Sequence, residues 1–189
     1  MNFFRKKKIV PLGSHIDAKS KVGEYTYIGE GCYITKTIIG RYCSIGNYVI
    51  IGPGEHEMSR VSTSAEVYPN DDWYELLTGK QIEIGNDVWI GSGSIIRRDV
   101  RIWNGAVIGA NSFVNSDVYP FSIVAGSPAR YIRKRFSEEQ IQRIENSHWW
   151  DYDKDVAIEM VKELEQYIKW GLIFSLIFIC ENIYIKVKK

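Results

Sequence analysis

Three histidines occur in the 189 residues, His15, His56 and His148. His56 is the one best placed to take a proton. It comes shortly after Gly52-Pro53-Gly54, a rigid turn, and histidine is the usual side chain for general-base work near neutral pH. The alternative is an exposed loop histidine with no role. His15 precedes the regular part of the chain, and His148, beside Trp149 and Trp150, reads as packing. No Gly-x-Ser-x-Gly elbow, phosphate-binding loop or metal-ligand cluster accompanies them. The chemistry this residue type points to is proton abstraction by a loop histidine.

Two further features could serve such a site. In NDVWIGSGS, Trp89 points outward just before an inward Ile90, and could wall an acceptor site or an interface. Arg130, Arg133, Lys134 and Arg135 form a basic group beside Pro128. They could grip a phosphate-bearing cofactor, or be solvated charge.

The elements that must position these groups follow from spacing. An aliphatic residue recurs every six positions at Ile84, Ile90, Ile96, Ile102, Ile108 and Val114, and earlier at Ile16, Val22, Ile28 and Ile34. After a one-residue slip it resumes at Ile39, Ile45 and Ile51. A small or β-branched residue follows four positions later, as at Ser20, Thr26, Cys32, Ile38, Cys43, Val49, Val88, Ser94, Val100, Ala106, Ser112 and Val118. No helix has period six and a lone strand has period two. Three short strands per coil, each turned after one inward aliphatic, produce it. All thirteen aliphatics are Ile or Val, which suit a pleated wall. Gly23, Gly29, Gly40, Gly46 and Gly52 are expected at corners, where positive φ can be needed.

The beat stops at Ile51 and restarts at Ile84, so residues 52–83 are expected to leave the stack as a loop. Ser137 with Gln140 is a capping-box pattern opening a helix with Ile141 and Ile144 on its apolar face. A second helix is expected from Asp153 to Trp170, with Val156, Met160, Val161, Leu164 and Ile168 on one side. The chain thus divides into a mainly β domain over residues 1–136 and a helical extension over 137–189 that would cover the end of the stack.

Net charge is +1, which gives no global bias toward nucleic acid. Cys32 and Cys43 fall on small inward positions and read as reduced core residues, which fits a reducing, cytoplasmic setting. The apolar stretch 172–180 is too short to span a bilayer. It is expected to pack on the body or on a neighbouring subunit, with weak membrane association as the second reading.

Taken in order, the repeats, IGNDVWIG, IGANSFV, the ending VAGSPARYIRKRF and the HWWD segment resemble the hexapeptide-repeat acyltransferases, and within them the xenobiotic acetyltransferase branch. The resemblance covers roughly residues 12–155. It implies a left-handed parallel β-helix, a homotrimer with sites between subunits, and acetyl-CoA as donor. It implies that His56 is the base, that Ser92 donates to the developing oxyanion, and that Gly91 lets the cofactor approach the wall. It places Ala110, Asn115 and Ser116 along the pantetheine arm, Arg130, Arg133 and Lys134 at the nucleotide end, and Asn86 and Trp89 near the acceptor. Two departures stand out: Glu57 follows His56 where many members carry proline, and Asn115-Ser116 replaces a frequent Thr-Lys pair.

The function expected first is acetyl transfer from acetyl-CoA to a hydroxyl of a sugar or polysaccharide. The alternatives are an antibiotic O-acetyltransferase for chloramphenicol or a streptogramin, an N-acetyltransferase for a nucleotide amino sugar, and a non-catalytic β-helix scaffold.

Overall fold

The computed structural model describes residues 11–68 and 73–169. The basic residues 5–8 and the apolar stretch 172–180 lie outside them. Fifteen strands are present among the described residues, numbered β1–β15 in chain order. Most are two residues long, because each contributes one inward aliphatic and its outward neighbour before the chain turns.

Successive strands visit three sheets in rotation. Sheet A stacks β1 (His15–Ile16), β4 (Tyr33–Ile34), β7 (Ile50–Ile51), β10 (Ile95–Ile96) and β13 (Phe113–Val114). Sheet B stacks β2 (Lys21–Val22), β5 (Thr37–Ile39), β8 (Ile82–Ile84) and β11 (Arg101–Ile102), and Val118 extends it by a bridge to Ile102. Sheet C stacks β3 (Tyr27–Ile28), β6 (Ser44–Ile45), β9 (Trp89–Ile90), β12 (Val107–Ile108), β14 (Ser122–Ala125) and β15 (Arg130–Lys134). Every ladder is parallel except β14 with β15. This is a three-sided parallel β-helix, as the period of six requires.

The inward aliphatics fill the prism. Ile34, Ile45, Ile51, Ile90, Ile96 and Ile108 are fully buried, with Cys32, Cys43, Val49, Val88 and Ala106 between them. Ile16, Val22 and Ile28, in the first coil, are only partly buried. One companion position differs from expectation. At the slip, the chain turns from β4 to β5 through Thr35 and Lys36 alone, with Lys36 left-handed at φ 46°. The shorter turn brings Thr37 inward, wholly buried, and puts Ile38 on the outer face.

The corner glycines also have a different physical reason from the one expected. Of the five named above, only Gly52 has positive φ. The left-handed residue lies three positions after the inward aliphatic: Tyr25, Gly31, Tyr42, Tyr48, Asp87, Gly93, Asp99, Gly105 and Asn111. The glycine directly after the aliphatic is there because the next coil is too near. A Cβ at Gly23 would lie 2.4 Å from the Gly40 carbonyl, and one at Gly91 would lie 2.5 Å from the Ala110 nitrogen. Gly91 therefore serves coil stacking. Gly91→Ala is expected to cost about 1–3 kcal/mol by overpacking, read as a lower urea midpoint at unchanged m-value. An unchanged midpoint would mean the coils part easily.

Cys32 and Cys43 are buried as expected. Burial raises the Cys32 thiol and pushes Cys43 up to about 12. Because the thiolate is the reactive form, iodoacetamide is expected to leave both unmodified in the folded protein and to label them only on unfolding. Peptide mapping by mass spectrometry after a native pulse checks this.

The outward rows differ in character. On sheet A the register aligns His15, Tyr33, Ile50, Ile95 and Phe113. On sheet C it aligns Tyr27, Ser44, Trp89, Val107 and Ile123. Sheet B shows Lys21, Ile38, Glu83 and Arg101. Two faces of the prism are thus largely apolar outside and the third is mixed and charged.

The chain divides between Arg135 and Phe136 into two compact units. In the second, α2 (Glu138–Ser147) begins with the expected reciprocal cap: Gln140 N–H donates to Ser137 Oγ, and Ser137 N–H to Gln140 Oε1. Ile141 and Ile144 are buried, and so is Trp150, whereas His148 is exposed at the helix end with φ 47°. Residues 154–169 are helical, and there Ala157 is the buried residue while Val156 faces out.

Candidate active site

The stack is interrupted once. The chain leaves β7 at Gly52 and re-enters at Ile82, so the excursion spans residues 52–81, and Ile82 and Glu83 already belong to β8. The coils on either side remain in register across it, β7 with β10 and β5 with β8.

Two consecutive arginines fasten this excursion. Arg98, only 5% exposed, turns inward. Its guanidinium donates to the Gly52 carbonyl where the loop begins, to the Lys80 carbonyl (3.3 Å) where it ends, and to Thr35 Oγ1 (2.6 Å). Arg97 turns outward and grips Glu55 through both carboxylate oxygens, at 2.6 and 3.3 Å. Lys80 also pairs with Asp99. Farther along the loop, the buried Lys36 donates to Glu75 Oε2 (2.7 Å) and Thr78 Oγ1 (3.3 Å) of the short helix α1 (Trp73–Thr78). That hydrogen bond holds the Glu75 carboxyl below its ordinary range.

His56 sits one residue beyond the Arg97–Glu55 pair and is exposed. Its Nδ1 lies 2.7 Å from the Thr63 carbonyl oxygen. A carbonyl only accepts, so this contact calls for a proton on Nδ1, and in the neutral ring that leaves the lone pair on Nε2. The orienting group is thus a backbone carbonyl seven residues on, and neither adjacent glutamate. Glu55 is held by Arg97, and Glu57 accepts from Ser59 N–H and Oγ–H at 2.9 and 2.8 Å.

Chain order decides which other candidates can share an edge with His56. Asn115 and Ser116 follow β13, so they lie on the edge between sheets A and B from which the His56 loop departs. Asn115 lines a cavity of about 240 Å³ with Glu55, Leu77, Lys80 and Arg97. Ser92, Gly91 and Ala110 lie on the edge between sheets C and A. Ser92 is exposed there, and its Oγ accepts the Asn47 N–H at 3.2 Å while keeping its own proton to donate. Ala110 is exposed one coil farther along.

Asn86 lies on the third edge, between B and C. Its Oδ1 accepts Arg41 N–H at 2.8 Å, and its own N–H donates to Asn104 Oδ1 at 2.8 Å. These bonds give Asn86 a part in a corner ladder joining three coils. Trp89, 57% exposed, stands on the outer face of sheet C.

Arg130, Arg133 and Lys134 all lie on β15. Arg130 and Arg133 are exposed, and their guanidinium groups reach nearby backbone carbonyls, Ala129 (3.0 Å) and Lys134 (2.9 Å). Lys134 Nζ donates to the Pro120 carbonyl (2.9 Å). Ser116 and Arg130 share a second cavity of about 210 Å³ with Tyr119 and Tyr131, floored by Val118 and Val124. Arg135 has a structural place instead. It pairs with Asp87 at 3.0 Å, donates to the Gly105 carbonyl at 2.7 Å and covers the Phe121 ring. The pairing of Arg98 with the loop ends is the feature that sequence reading missed. Its visible signal was a charged residue inside the repeat block, two positions after inward Ile96.

Comparison with known proteins agrees with the repeat fold. Residues 81–116 match a family described as bacterial transferase hexapeptide (six repeats). A probable macrolide acetyltransferase of Lysinibacillus sphaericus is 37% identical over 149 residues, covering 74% of this chain and 80% of that protein. A chloramphenicol acetyltransferase of Escherichia coli is 38% identical over 142 residues, 69% of this chain and 64% of that protein. The chain thus spans a little under two thirds of that relative's length. Among solved structures, a galactoside acetyltransferase in complex with coenzyme A is similar with a TM-score of 0.55 at 26% identity, covering 67% of this chain and 61% of that one.

Proposed function

We propose that this chain, which belongs to the hexapeptide-repeat acetyltransferase family, transfers acetyl from acetyl-CoA directly to a hydroxyl of a small-molecule acceptor. The observation that carries the reading is the 2.7 Å contact of His56 Nδ1 with the Thr63 carbonyl, which leaves Nε2 free to accept a proton. Nε2 takes the acceptor's hydroxyl proton as the oxygen attacks the thioester carbonyl. The C–O bond forms, the C–S bond breaks, and the proton on Nε2 passes to the departing thiolate of coenzyme A. Holding both substrates together supplies the orientation, and base catalysis supplies the rest. Ser92, with a proton to donate, stabilises the oxyanion. Ala110, Asn115 and Ser116 border the pantetheine arm, Arg130, Arg133 and Lys134 meet the phosphates, and Trp89 walls the acceptor.

The assembly that goes with this reading is a homotrimer of left-handed prisms. Two observations support it. His56 and Ser92 lie on different edges of one prism with sheet A between them, so a second copy brings one chain's base to the other's cofactor wall. The apolar outer rows of sheets A and C are the faces that such packing would cover, and a three-sided prism suits a closed threefold ring. Sedimentation at several concentrations tests this; a monomer throughout removes it.

For the acceptor, the names of the sequence relatives favour a drug hydroxyl, chloramphenicol or a macrolide, over the sugar expected first. The sugar reading keeps the support of the galactoside acetyltransferase structure. The deciding experiment measures thiol release from acetyl-CoA with chloramphenicol, a macrolide, a streptogramin, galactosides and nucleotide amino sugars. Release with a drug alone establishes the first acceptor class, and release with a sugar alone the second. Failure to bind coenzyme A at all leaves the non-catalytic scaffold as the reading.

A further inference from the structure

The Thr63 carbonyl that orients His56 lies on an exposed loop between Ser62 and Ser64, with no strand to hold it. What reaches it from the other side is Tyr68. The Tyr68 hydroxyl donates to the same oxygen at 3.3 Å, and in turn accepts the Glu57 N–H at 3.2 Å. Since Glu57 directly follows His56, these bonds close a ring: Glu57 amide, Tyr68 hydroxyl, Thr63 carbonyl, His56 imidazole and back through the peptide bond. A 3-10 turn, Ala65–Val67, returns the chain so that Tyr68 can reach, and Arg60 lies over the Tyr68 ring at 4.7 Å. Proline at position 57 would have no N–H to give, so the ring closes because this position is not proline.

We propose that Tyr68 is a positioning residue for His56, holding through the shared Thr63 carbonyl the tautomer in which Nε2 is the base. This rests on the reading of His56 as base. Its physical content is that an exposed imidazole left to itself exchanges between tautomers, whereas a fixed acceptor at Nδ1 selects one. Tyr68 touches no reacting atom; it places the acceptor.

The test uses the full-length protein with ¹⁵N-labelled histidine, His56 being assigned by its absence from His56→Ala. In the wild type, the His56 nitrogens are expected to report a protonated Nδ1 and a bare Nε2. In Tyr68→Phe they are expected to report a mixture, with kcat about tenfold lower and KM for acetyl-CoA unchanged, because the orienter of a base governs turnover and not cofactor binding. Calorimetric binding of coenzyme A confirms that the variant is folded. An Nε2–H tautomer in the wild type overturns the proposal without any variant. So does a Tyr68→Phe protein that keeps its tautomer, whether or not kcat falls, or one that loses the tautomer and keeps kcat. Full turnover in His56→Ala would instead remove the base reading itself, while the tautomer measurement would still decide whether the ring exists.

Discussion

Replacing His56 with alanine is expected to lower kcat by about a hundredfold or more while coenzyme A binding stays as it was. The size follows from what is removed. Direct transfer needs the acceptor oxygen to lose its proton as it attacks, and water in an exposed loop site is a far weaker and unplaced base. Binding is spared because the residues proposed to meet coenzyme A lie on the coil wall and on β15, while His56 lies in the excursion. Its Nδ1 meets the Thr63 carbonyl, inside the same loop. The check is single-turnover kinetics with saturating acetyl-CoA, beside calorimetric titration of coenzyme A. A variant with unchanged turnover would take His56 out of the mechanism, and one that no longer binds coenzyme A would put the residue on the cofactor side.

Arg98→Met is expected to carry the next largest effect, on stability and turnover together. Methionine fills much of the same volume but leaves the Gly52 and Lys80 carbonyls and Thr35 Oγ1 without the charged donor they share. Losing hydrogen bonds to a buried charge costs about 3 kcal/mol. The neighbouring Arg97 provides the contrast. Its pair with Glu55 is bidentate but 47% exposed on the arginine side, so Arg97→Ala is expected to cost well under about 1 kcal/mol. Urea unfolding of both variants separates the cases. Turnover in Arg98→Met is expected to fall about tenfold, because both ends of the loop that bears His56 are released and misplacing a reacting group is costly. Equal stability losses in the two variants would mean that burial of Arg98 contributes nothing beyond a surface contact.

Much of the fold could be read from the residues because one geometric rule repeats. An inward branched aliphatic every sixth residue leaves a chain few options other than a three-sided coil, and the six most central isoleucines are buried as the spacing requires. The reading failed where local turns break the rule. Ile38 was expected inward and faces out, because the two-residue turn at Thr35-Lys36 shifts the phase. Gly52 supplies the positive φ expected at the corners, whereas Gly23, Gly29, Gly40 and Gly46 supply closeness to the next coil, a property of the neighbour about eighteen residues away along the repeat that residue type does not announce. The candidate base was legible from its place after Gly52-Pro53-Gly54. Its orienter was not, since a backbone carbonyl carries no residue signature; the two flanking glutamates are both engaged elsewhere.

The unbroken register across the excursion has a consequence for how such proteins can change. Strands before and after residues 52–81 pair with each other as though those residues were not there. The framework and this segment are therefore separable parts: the stack keeps its register across the excursion, whose two ends return to carbonyls that one inward arginine holds. Exchange of this segment between relatives would then swap the proposed base and its hydrogen-bonded ring in one step, leaving the coil wall behind unchanged.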